Sequence, residues 1–436
     1  MSARGIVIAA PTSGAGKTTI TLGILRALSR RGVAVRAAKS GPDYIDPAFH
    51  EAACGALSVN LDAWAMPPAT LRARAAAQGG EVLVIEGAMG VLDGARDGTG
   101  SAADLARALG LPLLLVLDIA KSGQSALLPA IGLRALHPGL PLAGVILNRA
   151  GTPAHVALAR APLEAAGVTV FGALARDGAL HLPERHLGLV QAGETEGLDA
   201  FLDRAAEQVE AGIDLDALLD AAAPLPPPGS DYPKLPPPGQ RIAIARDPAF
   251  AFAYPHLLAD WRAQGAEILP FSPLAGQGPD ARADAVYLPG GYPELFADRL
   301  AGASGFRDGM QAAAGRGARI HGECGGFMAL GQGLIDGDGA RHAMLGLLPL
   351  VTSFHTRRLT LGYRRLSPLP GAPWTMPLMG HEFHYATILE EGPAERLFAA
   401  TDATGAALPQ MGLRIGNIAG SYAHVIGPDG TKGGSS

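Results

Sequence analysis

Residues 5–19 read GIVIAAPTSGAGKTT. The apolar run Ile6-Val7-Ile8-Ala9-Ala10 suits a buried parallel strand, and the following TLGILRALSRRG has helical spacing, with Leu22, Ile24, Leu25 and Leu28 on one side. Between them lies a glycine-rich turn ending in Gly16-Lys17-Thr18. Strand, loop and helix thus come in the order of a phosphate-binding loop. In that geometry the loop's backbone N–H groups and the helix N-terminus surround a phosphate chain, Lys17 neutralises the terminal phosphates, and the Thr18 hydroxyl can hold Mg²⁺. The pattern G-x-x-x-x-G-K-[ST] would put glycine at position 11, where this chain has Pro11. Gly14 and Gly16 supply the freedom instead, with Ser13 and Ala15 beside them, which disfavours the motor and GTPase classes. The competing reading is a glycine-rich turn that binds nothing.

The 436 residues exceed one ordinary core, at roughly 100 to 200 residues per domain. Hydrophobic residues at 48% and charged residues at 17% describe a well-cored globular chain. A formal charge of −5 without a long basic run argues against nucleic acid as partner. No apolar stretch reaches the roughly 18 to 20 residues of a membrane span, because Pro112 and Asp118 interrupt the strongest candidate, LPLLLVLDIA. The first strand starts too early to leave room for a signal peptide, and two cysteines, Cys54 and Cys324, make no disulfide framework. A cytoplasmic setting is expected. Self-association as a homodimer is left open.

Further along, VAVRAAKS (33–40) reads as a strand that delivers Lys39 into a loop, GPDYIDPAFH, carrying Asp43, Tyr44, Asp46 and His50. A helix-capping surface loop is the plainer alternative there. EVLVIEGAMGVLDG (81–94) places four apolar residues before Glu86, where such folds put an acid that reaches Mg²⁺. Asp93 follows in a glycine-rich loop. LPLLLVLDIAKSG, PLAGVILNRAG and VTVFGALARD repeat the strand-to-loop transition. The second ends in Asn148-Arg149, a carboxamide placed to read an adenine edge or to cap a helix; the third leads to Arg176 and then PERHLGL (183–189). This alternation predicts a doubly wound parallel sheet with its site at the strands' carboxyl ends.

Residues 224–240, PLPPPGSDYPKLPPPGQ, cannot sustain helix or sheet and read as an extended, semi-rigid linker. The expected division is 1–222, a phosphate-binding α/β domain; 223–240, the linker; and 241–436, a second α/β domain. In the latter, RIAIARD precedes an aromatic-rich helix expected over 248–261, and AEILPFSPL and DAVYLPGGYPE supply further strands. The turn at 289–294 can hold an oxyanion on the N–H of Gly291. ARIHGECGGFMALG then forms a nucleophile elbow: glycines flank Cys324 on a strand-to-helix turn, Gly325 adds a second oxyanion donor, and the helix dipole is expected to stabilise thiolate. A buried structural cysteine is the alternative. Candidate bases are His321, His342, His355, His381, His384 and His424. His424, in IAGSYAHV, is preferred as lying in a final strand with a loop after it; His381, Glu382 and His384 of GHEFHY receive no role.

Taken in order, PTSGAGKTT, KSGPDYIDPAFH, EGAMGVLDG, LPGGYPE, GECGGFMALG, GHEFHY and GSYAHV resemble the cobyrinic or hydrogenobyrinic acid a,c-diamide synthases of cobalamin biosynthesis, over nearly the whole chain. The resemblance implies a P-loop domain of dethiobiotin-synthetase type joined to a class I glutamine amidotransferase domain, amidating two carboxylates of a corrin with ATP, Mg²⁺ and glutamine. It implies that Pro11, Ser13, Gly14, Ala15, Gly16, Lys17 and Thr18 form the ATP loop, with Lys39 adding charge and Asn148 at the base. Thr18, Asp43 and Glu86 are implied at the metal, and Asp43, Tyr44, Ile45, Asp46 and Asp93 at the corrin. Cys324 and His424 are implied to carry glutamine hydrolysis. Many class I domains have Glu two residues after the histidine, whereas this chain has Ile426, as the resembled family also lacks that acid. Ammonia is expected to travel an enclosed path between sites. Alternatives within the plan are amidation of nickel-sirohydrochlorin or a cobyric acid synthase; outside it stands a regulatory module that senses ATP and glutamine.

Overall fold

A computed structural model of the protein describes residues 3–185, 188–227 and 232–430. The chain divides into two compact units, Met1–Tyr232 and Pro233–Ser436. The boundary falls inside the proline-rich stretch, of which residues 228–231 lie outside the described residues, as do His186 and Leu187 of PERHLGL. The expected linker begins too early: Ala223–Pro224 is a short strand, pairing Arg4↔Pro224 and Gly5↔Ala223. Proline is tolerated at such an edge because one missing donor breaks no ladder.

The first unit is built on the strands β1 (Arg4–Ala9), β2 (Val35–Ser40), β3 (Val59–Leu61), β4 (Val82–Glu86), β5 (Leu113–Asp118), β6 (Leu142–Ala150) and β7 (Val170–Ala175). Their order in the sheet is β3-β2-β4-β1-β5-β6-β7, with every one of these pairings parallel. Strands buried on both faces explain the near-continuous apolar runs Ile6-Val7-Ile8 and Leu113–Leu117. The order reverses beside β1, so the carboxyl ends of β1 and β4 open a crevice at the switch point. Helix α1 (Lys17–Arg30) follows β1 and buries Ile20, Leu22, Ile24, Leu25 and Leu28. The expected loop 41–50 stops short: Asp46–Cys54 is a helix, α2, with Pro47 in its first turn, where proline's absent N–H has no helical partner to lose.

The second unit contains a ten-stranded mixed sheet. Its parallel part runs Glu267–Phe271, Arg241–Ala245, Ala285–Leu288, Arg319–Glu323 and Ile418–Ser421, and antiparallel strands continue it to Leu378–His384 and His424–Pro428. Pro270 sits in the edge strand, where a lost donor is harmless. The aromatic stretch at 248–261 is helical only from Pro255, in the helix Pro255–Ala263, because Pro255 fits the first turn but would break a helix continuing through it. Residues 418–428 form two strands, interrupted at Tyr422 and Ala423, so His424 opens the last one. No helix of the described residues is long and apolar enough to cross a membrane.

Candidate active sites

In the first unit, Gly16 caps α1 at φ 89°, a left-handed conformation that a side chain would strain. A methyl there would also lie 2.3 Å from Asn148 Nδ2. That amide donates to Ala15 O at 2.8 Å, so Asn148 at the end of β6 braces the phosphate loop itself. Asn148 thus spends one of its two N–H donors on the loop, which leaves the other N–H and the carbonyl for other partners. Gly14 is also left-handed, at φ 77°. Ser13 is exposed and Pro11 half-buried at the start of the turn.

Lys17 Nζ donates to Met89 O at 2.5 Å, and Thr18 Oγ1 donates to Glu86 Oε1 at 2.6 Å. Ile8 and Glu86 are register partners on β1 and β4, which explains why the residue after the loop lysine meets the acid. Burial, the largest influence, lowers Lys17 below the ordinary lysine range, against the pull of Glu86.

Lys39 points into carboxylates. It bonds Asp46, lies 3.0 Å from Glu86 Oε1, and has Asp43 at 3.9 Å. Burial alone would push its pKa down, but Asp46, Glu86 and Asp43 together raise it well above normal. Lys39 is therefore the buried counter-cation of these acids, and any charge it lends to phosphates acts through them. Glu86 is completely buried, and Lys39, His50 and Thr18 hold it below the usual carboxylate range although burial pushes the other way. Asp46 is pushed up to about 7, by burial and then by Asp43.

His50 is a buried partner of Glu86 that sequence reading leaves without a role. Its Nε2 meets Glu86 Oε2 at 2.8 Å and its Nδ1 meets Ser58 Oγ at 3.0 Å, all buried. The i, i+4 spacing of Asp46 and His50 is the available signal, since on a helix it puts both on one face.

A cavity of about 400 Å³ is lined by Gly14, Gly16, Lys17, Thr18, Asp43, Ile45, Asp46 and Arg149, among others. Tyr44 is buried and does not line it. Asp43 also caps α2, its Oδ1 accepting from the N–H of Ile45 at 2.9 Å and of Asp46 at 3.3 Å. Asp93 accepts the Gly90 N–H at 2.9 Å within its own loop. A smaller cavity, about 70 Å³, shares Gly16, Thr19 and Arg149 and reaches Asn148, Leu174 and Arg176. Among the described residues, no three His, Cys, Asp or Glu side chains cluster to hold a metal by themselves. Thr18 and Glu86 nonetheless present hard oxygens side by side, the donor type Mg²⁺ takes, and Mg²⁺ uses only one or two carboxylates when phosphates and waters complete its shell.

In the second unit, Cys324 ends the strand Arg319–Glu323 and caps the helix Gly325–Leu330 at φ 47°, ψ −106°. Its N–H donates to Ser421 O at 2.8 Å. A methyl on Gly325 would lie 3.0 Å from Gly291 N, so the two expected oxyanion donors are neighbours. On Gly290 a methyl would sit 2.2 Å from His424 Cε1, which puts the imidazole directly against the same turn. Of the other candidate histidines, His342 meets Asp336 at 2.7 Å, His321 stacks on Tyr287, and His384 stacks on Tyr422 with centroids 3.9 Å apart. His381 is the cross-strand register partner of His424.

The expectation of a stabilised thiolate is overturned. Cys324 is buried, and its pKa is pushed up by burial first and by Glu294, Glu382 and Glu323, with only the Gly325 N–H opposing. The following helix has six residues, too short a dipole to offset those carboxylates. His424 is lowered to about 4 by burial, against Glu323, so it is neutral near pH 7. A neutral thiol and a neutral imidazole can work as nucleophile and base only if the proton passes between them during the attack.

Glu323, immediately before the nucleophile, is a second residue to which sequence reading gives no role. It is buried, accepts the Tyr287 hydroxyl at 2.8 Å, and accepts the Val425 N–H at 3.2 Å, next to His424. A charged residue inside an apolar strand end is the available signal. Position 426 offers its backbone there: Ile426 O is 2.8 Å from His256 Nε2.

A phosphate loop with a lysine and an acid in one unit, and a cysteine elbow with a histidine in the other, define a glutamine-dependent amidating ligase that uses ATP. Residues 6–190 match the CobQ/CobB/MinD/ParA nucleotide binding domain and residues 241–429 the CobB/CobQ-like glutamine amidotransferase domain. The chain is 56% identical to the hydrogenobyrinate a,c-diamide synthase of Rhizobium meliloti (strain 1021), over 97% of this chain and 99% of that one. It is 53% identical to the enzyme of the same name from Rhodobacter capsulatus, over 97% of this chain and 98% of that one. Among solved structures, the septum site-determining protein MinD complexed with Mg-ADP from Pyrococcus horikoshii OT3 aligns with 48% of this chain and 96% of its own, at 18% identity and a TM-score of 0.31. The chain belongs to the hydrogenobyrinate a,c-diamide synthase family.

Proposed function

We propose that this chain converts the a and c side-chain carboxylates of hydrogenobyrinic acid to amides, using ATP and glutamine. The observation that carries the substrate is identity of 56% to a synthase of that name across 97% of the chain. The chemistry of the two sites supports it. A carboxylate does not react with ammonia near neutral pH, because its carbonyl is deactivated and oxide is a poor leaving group. Its oxygen therefore first attacks the γ-phosphorus of ATP, releasing ADP and leaving an acyl phosphate. Lys17 offsets charge on the phosphates, and the loop N–H groups fix them. Mg²⁺, when bound with the nucleotide, supplies further charge compensation; Thr18 and Glu86 would hold it, with Asp43 at the cavity wall. The adenine would lie along Asn148 and Arg149.

In the glutaminase site, the Cys324 sulfur attacks the glutamine side-chain carbonyl as its proton passes to His424. The amides of Gly291 and Gly325 receive the developing oxyanion, His424 returns the proton to the leaving ammonia, and water cleaves the thioester to glutamate. Ammonia then attacks the acyl phosphate, phosphate leaves, and the nitrogen loses a proton to give the amide. Ile45 and Asp46 would line the acceptor side of the cavity, with Asp93 on its own loop and buried Tyr44 supporting the wall. The test is glutamate release and diamide formation with hydrogenobyrinic acid against cobalt-containing cobyrinic acid. Turnover of the cobalt-free acid, with the cobalt-containing acid turned over more slowly, is expected. Turnover of neither would overturn the assignment.

A further inference from the structure

The loop after β4 carries two features that the phosphate chemistry does not use. Met89 is 57% exposed and Leu92 is 44% exposed, on the loop whose Met89 carbonyl oxygen accepts from Lys17. Met89 also adopts φ 53°, a left-handed conformation that a residue with a side chain rarely takes.

This loop is tightly held. Gly87 N–H donates to Ile8 O at 2.8 Å, Val91 N–H to Ala10 O at 2.7 Å, and Ala103 N–H to Val91 O at 3.0 Å. Gly90 and Asp93 close a turn on each other. Buried Val91 anchors the segment between the two exposed residues. The two side chains are thus presented by a fixed backbone, and the presentation includes a strained residue, which marks a site over-determined by its surroundings.

The position of Met89 is set by Lys17, whose Nζ donates to its carbonyl oxygen at 2.5 Å. In the reaction proposed above, the acceptor carboxylate must reach the γ-phosphorus, which Lys17 attends. Met89, whose own carbonyl oxygen meets Lys17, is then a neighbour of the place where that carboxylate reacts. An acetate arm is short, so the ring edge that bears it comes equally close. The acceptor is a broad, puckered, largely apolar ring with an anionic rim, and methionine's unbranched thioether adapts to irregular apolar surfaces.

We propose that Met89 and Leu92 form the apolar seat on which the tetrapyrrole acceptor rests while one of its carboxylates faces the phosphoryl group. This rests on the functional reading above. The seat discriminates by the ring, and the phosphate loop handles the nucleotide independently of it.

The test uses the full chain with hydrogenobyrinic acid, glutamine and ATP. Met89→Gln and Leu92→Gln should each raise KM for the tetrapyrrole about tenfold, the worth of one well-buried apolar contact. KM for ATP and the rate of glutamine hydrolysis should stay within about twofold by the same reasoning. Met89→Leu should remain near the parent. Met89→Gly relieves the backbone but removes the side chain, and should match Met89→Gln. A parent chain that amidates the acid, with glutamine variants of unchanged tetrapyrrole KM, overturns the seat alone. Rescue by Met89→Gly shows that backbone strain mattered and also overturns it. A parent chain that fails to amidate the acid overturns the functional reading and the seat together.

Discussion

Replacing His50 by alanine removes two buried hydrogen bonds, to Glu86 Oε2 at 2.8 Å and to Ser58 Oγ at 3.0 Å. Glu86 has no solvent exposure, so no bulk water can take over. A hydrogen bond to a charged group is worth about 1.5–3 kcal/mol, and an orphaned buried carboxylate oxygen costs in the same range. Part of that cost appears as stability, with unfolding at lower denaturant. The remainder appears at the site, because Glu86 Oε1 must still face Thr18 at 2.6 Å and Lys39 at 3.0 Å, and the anchor on its other oxygen is gone. Partners that orient a metal-binding carboxylate typically contribute about 10–100-fold to metal affinity or activity. The assay is amide formation driven by added ammonium, which bypasses Cys324, with Mg²⁺ and ATP varied separately. His50→Ala should raise the Mg²⁺ requirement about 10–100-fold and leave glutamine hydrolysis intact. His50→Gln, which keeps a donor, should recover much of the loss. A His50→Ala chain with parental Mg²⁺ dependence would refute the reasoning, however unstable the chain became.

Cys324→Ala should abolish amidation from glutamine and leave amidation from ammonia near the parental rate; equal loss of both would deny that the two units divide the labour. Lys17→Ala should remove both activities, since the carboxylate then goes unactivated, while glutamate release measured alone persists. Gly290→Ala would force a methyl to within 2.2 Å of His424 Cε1, so glutamine hydrolysis should fall about 100-fold from displacement of the base, with ammonia-driven amidation spared. Stability should fall on acidification, because two buried histidines outweigh Asp46, which is pushed up to about 7 and acts in the opposite sense. His424 is lowered to about 4 and His381 to about 3, both by burial, so between about pH 6.5 and 4 the unfolded chain binds protons that the folded chain refuses. Stability therefore rises with pH through this window, by about 3 kcal/mol for His424 alone. Denaturant midpoints at about pH 7 and about pH 5 would check this, and His381→Gln should blunt the difference.

The parallel sheet of the first unit is legible because buried strands leave uninterrupted apolar runs, and the phosphate loop because its lysine and threonine stand at a strand-to-helix junction. Helix α2 is not, since Pro42 and Pro47 both read as loop signals; only Pro47's place in a first turn separates the cases. The second unit shows the same limit. Its candidate nucleophile can be picked out from the surrounding glycines, but the state of the thiol depends first on burial and then on Glu294 and Glu382, which are distant in sequence and act on it only in the folded chain. Proximity of His424 to Gly290 is likewise a product of the sheet order. A place near a strand end points to His424, but the break at Tyr422 and Ala423, which makes it the first residue of its own strand, leaves no mark in the apolar pattern.

The two halves of the proposed glutaminase catalyst come from strands far apart in the chain. Cys324 follows the strand Arg319–Glu323, whereas His424 begins His424–Pro428, which pairs with Leu378–His384. During synthesis the elbow emerges long before its base, so a ribosome-bound chain short of residue 424 carries a cysteine with no proton acceptor from that strand. On the proposed chemistry, release of ammonia from glutamine awaits the strand His424–Pro428, after the ATP-binding unit has been translated.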